Sequence, residues 1–339
     1  MDSSILRKTL ALLALTAATS AIAASFNCAN AVSAKERFIC AEPRISAIDE
    51  VLALTYRNSL VGLSSRAIER VRTGQRAWLA YWPRACSQAQ TTIKLDKDSV
   101  KCVANQYEGR VAELKVKNLL NDKFRLYWVV SFDVLSSDKD DEYGPAKHEI
   151  KFPQLDILNP QDPMVSRVLK INEWLGHDLS IWKSGLNNQS DSSDAIDVVA
   201  LTGDILKRSE HSEFYGHGAN HPVSAASASY YKIGQDRVLR VQDIFVDGRW
   251  VDVVVEIAYR QLANALKDML QVEKKDLREM VQDISHWRLE KDGLGLHFNV
   301  YQVAPYSEGP QSVEVPWRTL SGHLTGYAKQ QIQQITAFK

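Results

Sequence analysis

Beyond residue 24, the sequence lacks any uncharged apolar run approaching the roughly 18 residues that a membrane-spanning helix needs. The one such stretch is at the start, where Arg7 and Lys8 precede a Leu- and Ala-rich segment from Thr9 to Ala24. This segment is too short for a permanent span, and it ends in small residues that suit signal peptidase. We therefore expect residues 1–24 to be a signal peptide. The mature chain is expected to be periplasmic or secreted, without an integral membrane segment.

The motifs that identify common enzyme classes are also missing. The chain has no Gly-x-Ser-x-Gly elbow, no phosphate-binding loop and no evident Ser, Cys and His nucleophile set. We therefore expect a binding protein that is not an enzyme, with no catalytic residue and no cofactor. Nothing in the sequence indicates a nucleic-acid partner.

The sequence has only four cysteines, all in its first third: Cys28, Cys40, Cys86 and Cys102. Their spacing lacks the Cys-x-x-Cys of a zinc site, and an oxidising compartment favours disulfides. Four cysteines allow three pairings, and the sequence alone does not choose between them. A helix starting at Ser33 would favour Cys28 with Cys40, because the preceding residues can fold back beside it. That pairing leaves Cys86 with Cys102.

Charge is distributed unevenly, although the formal net charge is +0. Residues 25–117 contain 15 basic and 9 acidic residues, whereas residues 118–339 contain 24 basic and 31 acidic ones. The first part of the mature chain is therefore basic and the rest is acidic. Such a split can steer partners of opposite charge to different faces.

Helical signals fill the first part of the mature chain. Ser33 and Glu36 form a capping box, and Glu42-Pro43 has the form of an N-cap followed by proline at the first helical position. Ser65 is expected to cap a third helix, which Pro83 kinks or ends. These signals predict an all-α, disulfide-linked helical N-terminal domain over residues 25–117.

The rest of the chain mixes strand and helix signals. Phe124–Leu135 is rich in aromatic and β-branched residues, and Asp292-Gly293 is a strong hairpin turn. These patterns predict an α+β C-terminal domain over residues 122–339. The other expected strands lie at about 148–158, 196–206, 211–216, 223–232, 237–242 and 312–315, and the helices at 164–182, 251–270 and 274–284.

The helical part resembles the LprI-type lysozyme inhibitors. The resemblance covers about residues 25–117 and rests on the order and spacing of a few short elements. They are Phe26-Asn27-Cys28, Glu36-Arg37-Phe38-Ile39-Cys40, Ile48-Asp49, Gln75-Arg76-Ala77-Trp78-Leu79, Cys86, and Cys102 followed by Tyr107. The family's Trp-Leu-x-x-Arg ending departs slightly here, because its Arg is displaced to Arg84. The resemblance implies a lysozyme-inhibitor-like fold.

The second part resembles the extracellular domain of the anti-sigma factor RsiV, which binds lysozyme as a signal. The matching elements are Tyr215 with the loop Gly216–Pro222, Leu239 followed by Asp243-Ile244-Phe245, Asp292-Gly293-Leu294, Tyr301–Tyr306, Gly309, and Val313–Trp317. Both halves thus resemble proteins that act on the same class of ligand. The resemblance implies a lysozyme-like muramidase as partner.

The loop Tyr215–Pro222 is the most unusual local sequence, with Tyr215, Gly216, His217, Gly218 and His221 as candidate binding residues. One interpretation is a polar probe that enters a lysozyme cleft, where two carboxylates perform catalysis. The simpler interpretation, which we favour, is that the glycines supply positive φ and that His221 packs against its surroundings.

Metal binding is an alternative for His211, His217 and His221, and it would support a metal-dependent hydrolase. The glycines and Pro222 prevent the regular helix that His217 and His221 would need for an i,i+4 zinc pair. We therefore expect no metal site there. The acidic run 138–142 lacks the alternating ligands of a calcium loop, and we interpret it as a solvated segment.

These patterns lead to one functional expectation with one main alternative. The first is a periplasmic protein that binds lysozyme-like muramidases, as inhibitor or sensor. The second is an envelope-maintenance protein that binds peptidoglycan or another envelope protein. Because lysozymes are commonly basic, the acidic C-terminal part is expected to make the first encounter. The basic N-terminal part would then lie near anionic envelope polymers.

Overall fold

The structure is a computed structural model that describes residues 24–87, 94–115, 117–119, 124–136, 143–157, 159–176 and 183–335. The predicted signal peptide, apart from Ala24, and the acidic run 138–142 lie outside these residues. Among the described residues, no helix combines the length and the apolar composition that crossing a bilayer requires.

Four α-helices form the N-terminal part: α1 (Ala34–Ala41), α2 (Pro43–Ser59), α3 (Ser65–Ala85) and α4 (Lys97–Leu114). The capping box at the start of α1 is confirmed, because the Ser33 side chain accepts from the Glu36 N–H and the Glu36 carboxylate accepts from the Ser33 N–H. The cap of α3 is Ser64 rather than Ser65. Pro83 does not end α3, which continues to Ala85.

Two disulfides tie this helical part together. Cys28 is bonded to Cys40, and Cys86 is bonded to Cys102. This is the pairing that the position of α1 favours. The second bridge joins the end of α3 to α4, so the two long helices are covalently linked.

A seven-stranded sheet follows, with its strands in chain order: β1 (Lys117–Leu119), β2 (Phe124–Leu135), β3 (Ala146–Leu155), β4 (Ser190–Ala200), β5 (Ile205–Gly216), β6 (Val223–Lys232) and β7 (Arg237–Val238). Only β3 and β4 run parallel. Helix α5 (Val165–Leu175) lies between them in the chain, as a parallel connection requires. Residues 201–204 form a turn, where the sequence predicted a continuous strand.

The remaining elements surround a second, three-stranded sheet: α6 (Val241–Ile244), α7 (Trp250–Leu266), α8 (Lys274–Gln282), β8 (Trp287–Leu289), β9 (Gly293–Phe298), β10 (Gln311–Pro316), α9 (Trp317–Leu320) and α10 (Gly326–Ile335). The hairpin at Asp292-Gly293 is confirmed, since β8 pairs with β9. The strand predicted at 237–242 is only two residues long, and α6 begins at Val241. The predicted fold class is therefore confirmed: a helical N-terminal part with two disulfides is followed by an α+β part.

The helical part shares a hydrophobic core with the seven-stranded sheet. Trp78, Trp82 and Tyr107 are almost fully buried, and the Tyr107 ring lies edge-on to both tryptophan rings, with centroid distances of 4.9 Å to Trp78 and 5.6 Å to Trp82. The same core includes Ile150 and Phe152 of β3. The core therefore crosses the predicted boundary between the two domains.

Two further cores position the second half of the chain. One packs α5 against the sheet through Ile171 and Leu206. The other packs α7 and the small sheet against β6, and it centres on Trp287 with Trp250 5.5 Å away. The hydroxyl of the buried Tyr230 donates to the Trp287 carbonyl at 2.9 Å. The small sheet is thereby held beside β6.

Candidate functional site

The candidate loop connects β5 to β6 at one end of the seven-stranded sheet. Tyr215 and Gly216 are the last residues of β5, and Val223 begins β6. Gly218 has φ of +84°, so a glycine is favoured there, whereas Gly216 does not have a positive φ. We call residues 214–223, together with Tyr301 and Tyr306, the hairpin tip.

His217 points back toward β4 and is largely buried, with 6% of its side chain exposed. Its Nε2 lies 3.3 Å from Asp191 Oδ1, and its backbone N–H donates to the Gln189 carbonyl at 2.8 Å. Its ring also stacks on Tyr143, with the centroids 5.6 Å apart. His217 therefore holds the first half of the loop against the sheet.

His221 lies on the other side of the loop, against the C-terminal part of the chain. Its ring is stacked on Tyr306 with 3.6 Å between centroids and 16° between planes. The Tyr306 hydroxyl donates to the Pro222 carbonyl at 2.9 Å. Tyr301 lies 5.6 Å from Tyr306, and its hydroxyl is 3.5 Å from His221 Nε2. His221 therefore packs, as the simpler interpretation of the loop predicts.

The hairpin tip exposes apolar side chains that other parts of the structure hold in place. Phe214 is 52% exposed and Val223 43% exposed, and they are cross-strand partners. Tyr301 is 58% exposed. Exposed aromatic side chains are typical of surfaces that bind another molecule.

A cavity of about 520 Å³ lies beside the hairpin tip, between the helices and the sheet. Tyr81 of α3 and Tyr215 line it, together with Glu149, Asp191 and Glu213. The Tyr81 hydroxyl donates to Glu149 Oε1 at 2.5 Å, and burial beside this carboxylate raises the pKa of Tyr81 well above its usual range. Lys147 also lines the cavity and lies 3.7 Å from Asp191, so three carboxylates and one lysine leave this side of the hairpin tip with a net negative charge.

The three histidines considered for metal binding do not come together. His217 contacts Asp191, His221 contacts Tyr306, and His211 is exposed on β5. In the part of the chain that the structure describes, no group of three or more His, Cys, Asp or Glu residues has a metal-binding arrangement.

Nothing in the sequence indicated that Tyr301 and Tyr306 lie beside this loop. They are 80 and 85 residues beyond His221, and single-sequence periodicity carries no information on such distant contacts. The exposed position of Tyr301 in a turn, with φ of +66°, is visible only in the structure.

Comparison with known proteins identifies one segment. Residues 242–318 match a family described as "Protein of unknown function (DUF3298)". The match contains most of the elements on which the resemblance to RsiV rests, including Tyr301 and Tyr306. No curated protein matches the chain. The resemblance of residues 25–117 to the LprI type stays a prediction.

Two solved structures of DUF3298 family proteins are similar to this chain. One is from Bacteroides fragilis and is 14% identical to this chain. The matched region covers 64% of this chain and 98% of the B. fragilis chain, with a TM-score of 0.46. Another is from Pseudomonas aeruginosa and is 18% identical to this chain. The matched region covers 62% of this chain and 98% of the P. aeruginosa chain, with a TM-score of 0.43. Scores below 0.5 at such identities do not establish a shared fold over the whole chain. What the comparisons establish is a DUF3298 domain at residues 242–318.

Proposed function

We propose that this chain is an exported, non-enzymatic binding protein of the periplasm or the exterior, and that it binds lysozyme-like muramidases as inhibitor or sensor. The proposed contact surface is the hairpin tip. The observation that carries the proposal is the exposure of Phe214, Val223 and Tyr301 at this end of the sheet, with Tyr301 braced by the stack of His221 on Tyr306.

Bracing matters because a surface that is ordered before binding loses less conformational entropy when the partner arrives. Tyr301 has an apolar ring and a hydroxyl, which suits it to an interface that is part apolar and part wet. Phe214 and Val223 would supply the apolar centre, and the polar loop between them would form the rim.

Charge around the hairpin tip supports a basic partner. Glu213 precedes Phe214, and Glu308 follows Tyr306 by two residues; both side chains are exposed. Asp191 lines the cavity together with Glu213. A basic lysozyme would be attracted to this end of the molecule, and the attraction would weaken as salt screens it.

The test is direct binding of the mature chain, residues 25–339, to a basic lysozyme at about 50 mM and about 500 mM salt, a range over which screening changes strongly. We expect binding whose association rate falls at high salt. Purified peptidoglycan serves as the competing ligand in a parallel pull-down. Binding to peptidoglycan alone would contradict the proposal and support the envelope-maintenance alternative.

A further inference from the structure

A second cavity, of about 540 Å³, opens on the seven-stranded sheet between α4 and the small sheet. Its floor consists of small or polar residues of β4 and β5. Ala195 pairs with His211 and Asp197 pairs with Ser209, so the four side chains project to the same side of the sheet.

Two different walls enclose this floor. On one side are Trp128 of β2 and Gly109 of α4, and on the other are Arg288 of β8 and His297 of β9. The volume of about 540 Å³ between the walls is within the range of small-molecule sites and is enough for a ligand of about two sugar rings.

Of the three acidic side chains that line this cavity, Glu113 and Glu210 have cationic partners, and Asp197 accepts from the Val198 N–H at 2.9 Å. Glu113 contacts Arg110 at 3.0 Å and Lys151 at 3.3 Å. Glu210 contacts Arg208 at 3.0 Å. The carboxylates of Glu113 and Glu210 therefore contribute little net negative charge to the cavity.

Arg288 differs from those cations. Its Nη1 donates to the carbonyls of Ser285 at 3.1 Å and Trp287 at 2.8 Å; among the described residues Glu290 is the acidic side chain whose charge acts on Arg288, and it lies beyond ion-pair distance. Burial lowers the pKa of Arg288, because water is partly excluded from the guanidinium. A partly desolvated arginine without a carboxylate partner is suited to binding an anionic ligand group.

Gly295 makes the position of Arg288 possible. The two residues are opposite each other on β9 and β8, and a Cβ at position 295 would be 3.0 Å from the Arg288 Cβ. The glycine leaves room for the arginine stem on its way to the cavity.

We propose that this cavity is a saccharide site that takes a carboxylate-bearing amino-sugar disaccharide. Trp128 supplies an apolar ring for one sugar, and Asp197, Ser209 and His211 offer hydrogen-bonding groups to hydroxyls and amides. Arg288 binds the carboxylate through its guanidinium. A few polar groups around an apolar wall are the usual composition of a small-molecule site.

A saccharide fits better than an extended peptide because β4 and β5 are internal strands. Each is hydrogen-bonded to a neighbour on both sides, so neither presents an edge to which a peptide could add as a strand. The site shares no residue with the hairpin tip. Saccharide binding in this cavity can therefore be tested independently of muramidase binding at the hairpin tip.

Two disaccharides that differ in one carboxylate test the proposal. Calorimetric titration of the mature chain would compare N-acetylglucosaminyl-N-acetylmuramic acid with the neutral dimer of N-acetylglucosamine. We expect the carboxylated disaccharide to bind about tenfold tighter, as for a charge-assisted hydrogen bond in a partly buried site. Absence of binding, or equal binding of the two, would overturn the proposal. This wild-type comparison requires no variant to fold.

Two variants then test whether Arg288 binds the carboxylate of the disaccharide. Arg288→Gln is expected to reduce binding of the carboxylated disaccharide to the level of the neutral one. Arg318→Gln, which removes an exposed cation of the same part of the chain outside the cavity, is expected to leave it unchanged. Equal effects of the two substitutions would contradict the assignment. So would a triglutamate peptide that binds as tightly as the disaccharide and is equally sensitive to Arg288→Gln.

Discussion

The ring of His221 lies flat on the ring of Tyr306, with 3.6 Å between their centroids, although the two residues are 85 positions apart in the chain. This contact joins the β5–β6 loop to the DUF3298 segment. It fixes the direction in which the exposed Tyr301 and the loop face solvent. The surface proposed to bind a muramidase is thus assembled from two distant segments.

Removing the Tyr306 ring should release the loop. Tyr306→Ala eliminates the stack and the hydrogen bond to the Pro222 carbonyl, at a cost of about 1 kcal/mol for the aromatic pair. We expect faster hydrogen exchange at the backbone amides of residues 217–223. Tyr306→Phe keeps the ring and should retain most of the protection. Unchanged exchange in Tyr306→Ala would mean that the stack does not order the loop.

The second prediction concerns the stability of variants at two helical glycines, and it follows from the packing of α3 on the sheet. A Cβ at Gly74 would be 2.5 Å from Val130 Cγ2 of β2, whereas a Cβ at Gly109 of α4 would contact nothing within 4 Å. Alanine is favoured over glycine in a helix by about 1 kcal/mol. We therefore expect Gly109→Ala to stabilise the protein by up to about 1 kcal/mol. Gly74→Ala should destabilise it by about 1–3 kcal/mol through overpacking.

Urea unfolding of both variants measures this difference. A similar change in the free energy of unfolding for the two would contradict close contact of α3 with β2. In that case the helical part and the sheet would not share the core described above.

Much of the helical part could be predicted from sequence because its signals are local. The capping box at Ser33 and the proline at position 43 each act within one helical turn, and both are observed. Pro83 lies near the end of α3 as predicted, but the helix ends two residues beyond it, at Ala85. Strand boundaries near residue 240 were wrong, because α6 is stabilised by Asp243 and its partners rather than by periodicity.

The candidate site was predictable only in part. The glycines and histidines of the β5–β6 loop are recognisable in the sequence, but their partners are not. Asp191, Tyr143 and Tyr306 approach the loop only after the sheet has formed, and nothing in their local sequence distinguishes them. The cavity beside Arg288 depends likewise on packing of the small sheet next to β6.

The third prediction is that the stability contributed by Asp243 is lost in acid. Arg237 donates to both of its carboxylate oxygens at 2.7 Å, and the Arg240 N–H and Lys232 Nζ donate at 2.8 and 3.2 Å. These bonds, those from Arg237 foremost, hold the pKa of Asp243 well below its usual range. An unfolded aspartate has a pKa of about 3.9, so the unfolded state takes up this proton first as the pH falls.

The contribution of Asp243 to stability is therefore complete above about pH 5 and is lost as the pH falls from there through the folded-state pKa. We expect Asp243→Asn to lower the free energy of unfolding at pH 7 by about 1–3 kcal/mol. The difference between wild type and variant should be smaller at pH 3. Urea midpoints at the two pH values measure it, and a difference that grew on acidification would contradict the role of Asp243.

The central claim is that the hairpin tip contacts a muramidase, and the most direct measurement is the Kd of a basic lysozyme for the wild-type and variant mature chains. The tip variant is the double substitution Phe214→Ser and Tyr301→Ala. The matched control is Val238→Ser with Val246→Ser, which changes two apolar side chains that are 46% and 60% exposed and lie outside the tip. We predict that the tip variant weakens binding at least about tenfold, as loss of aromatic anchors does, and that the control does not. Equal Kd values for wild type and tip variant, or no measurable binding by wild type, would contradict the account.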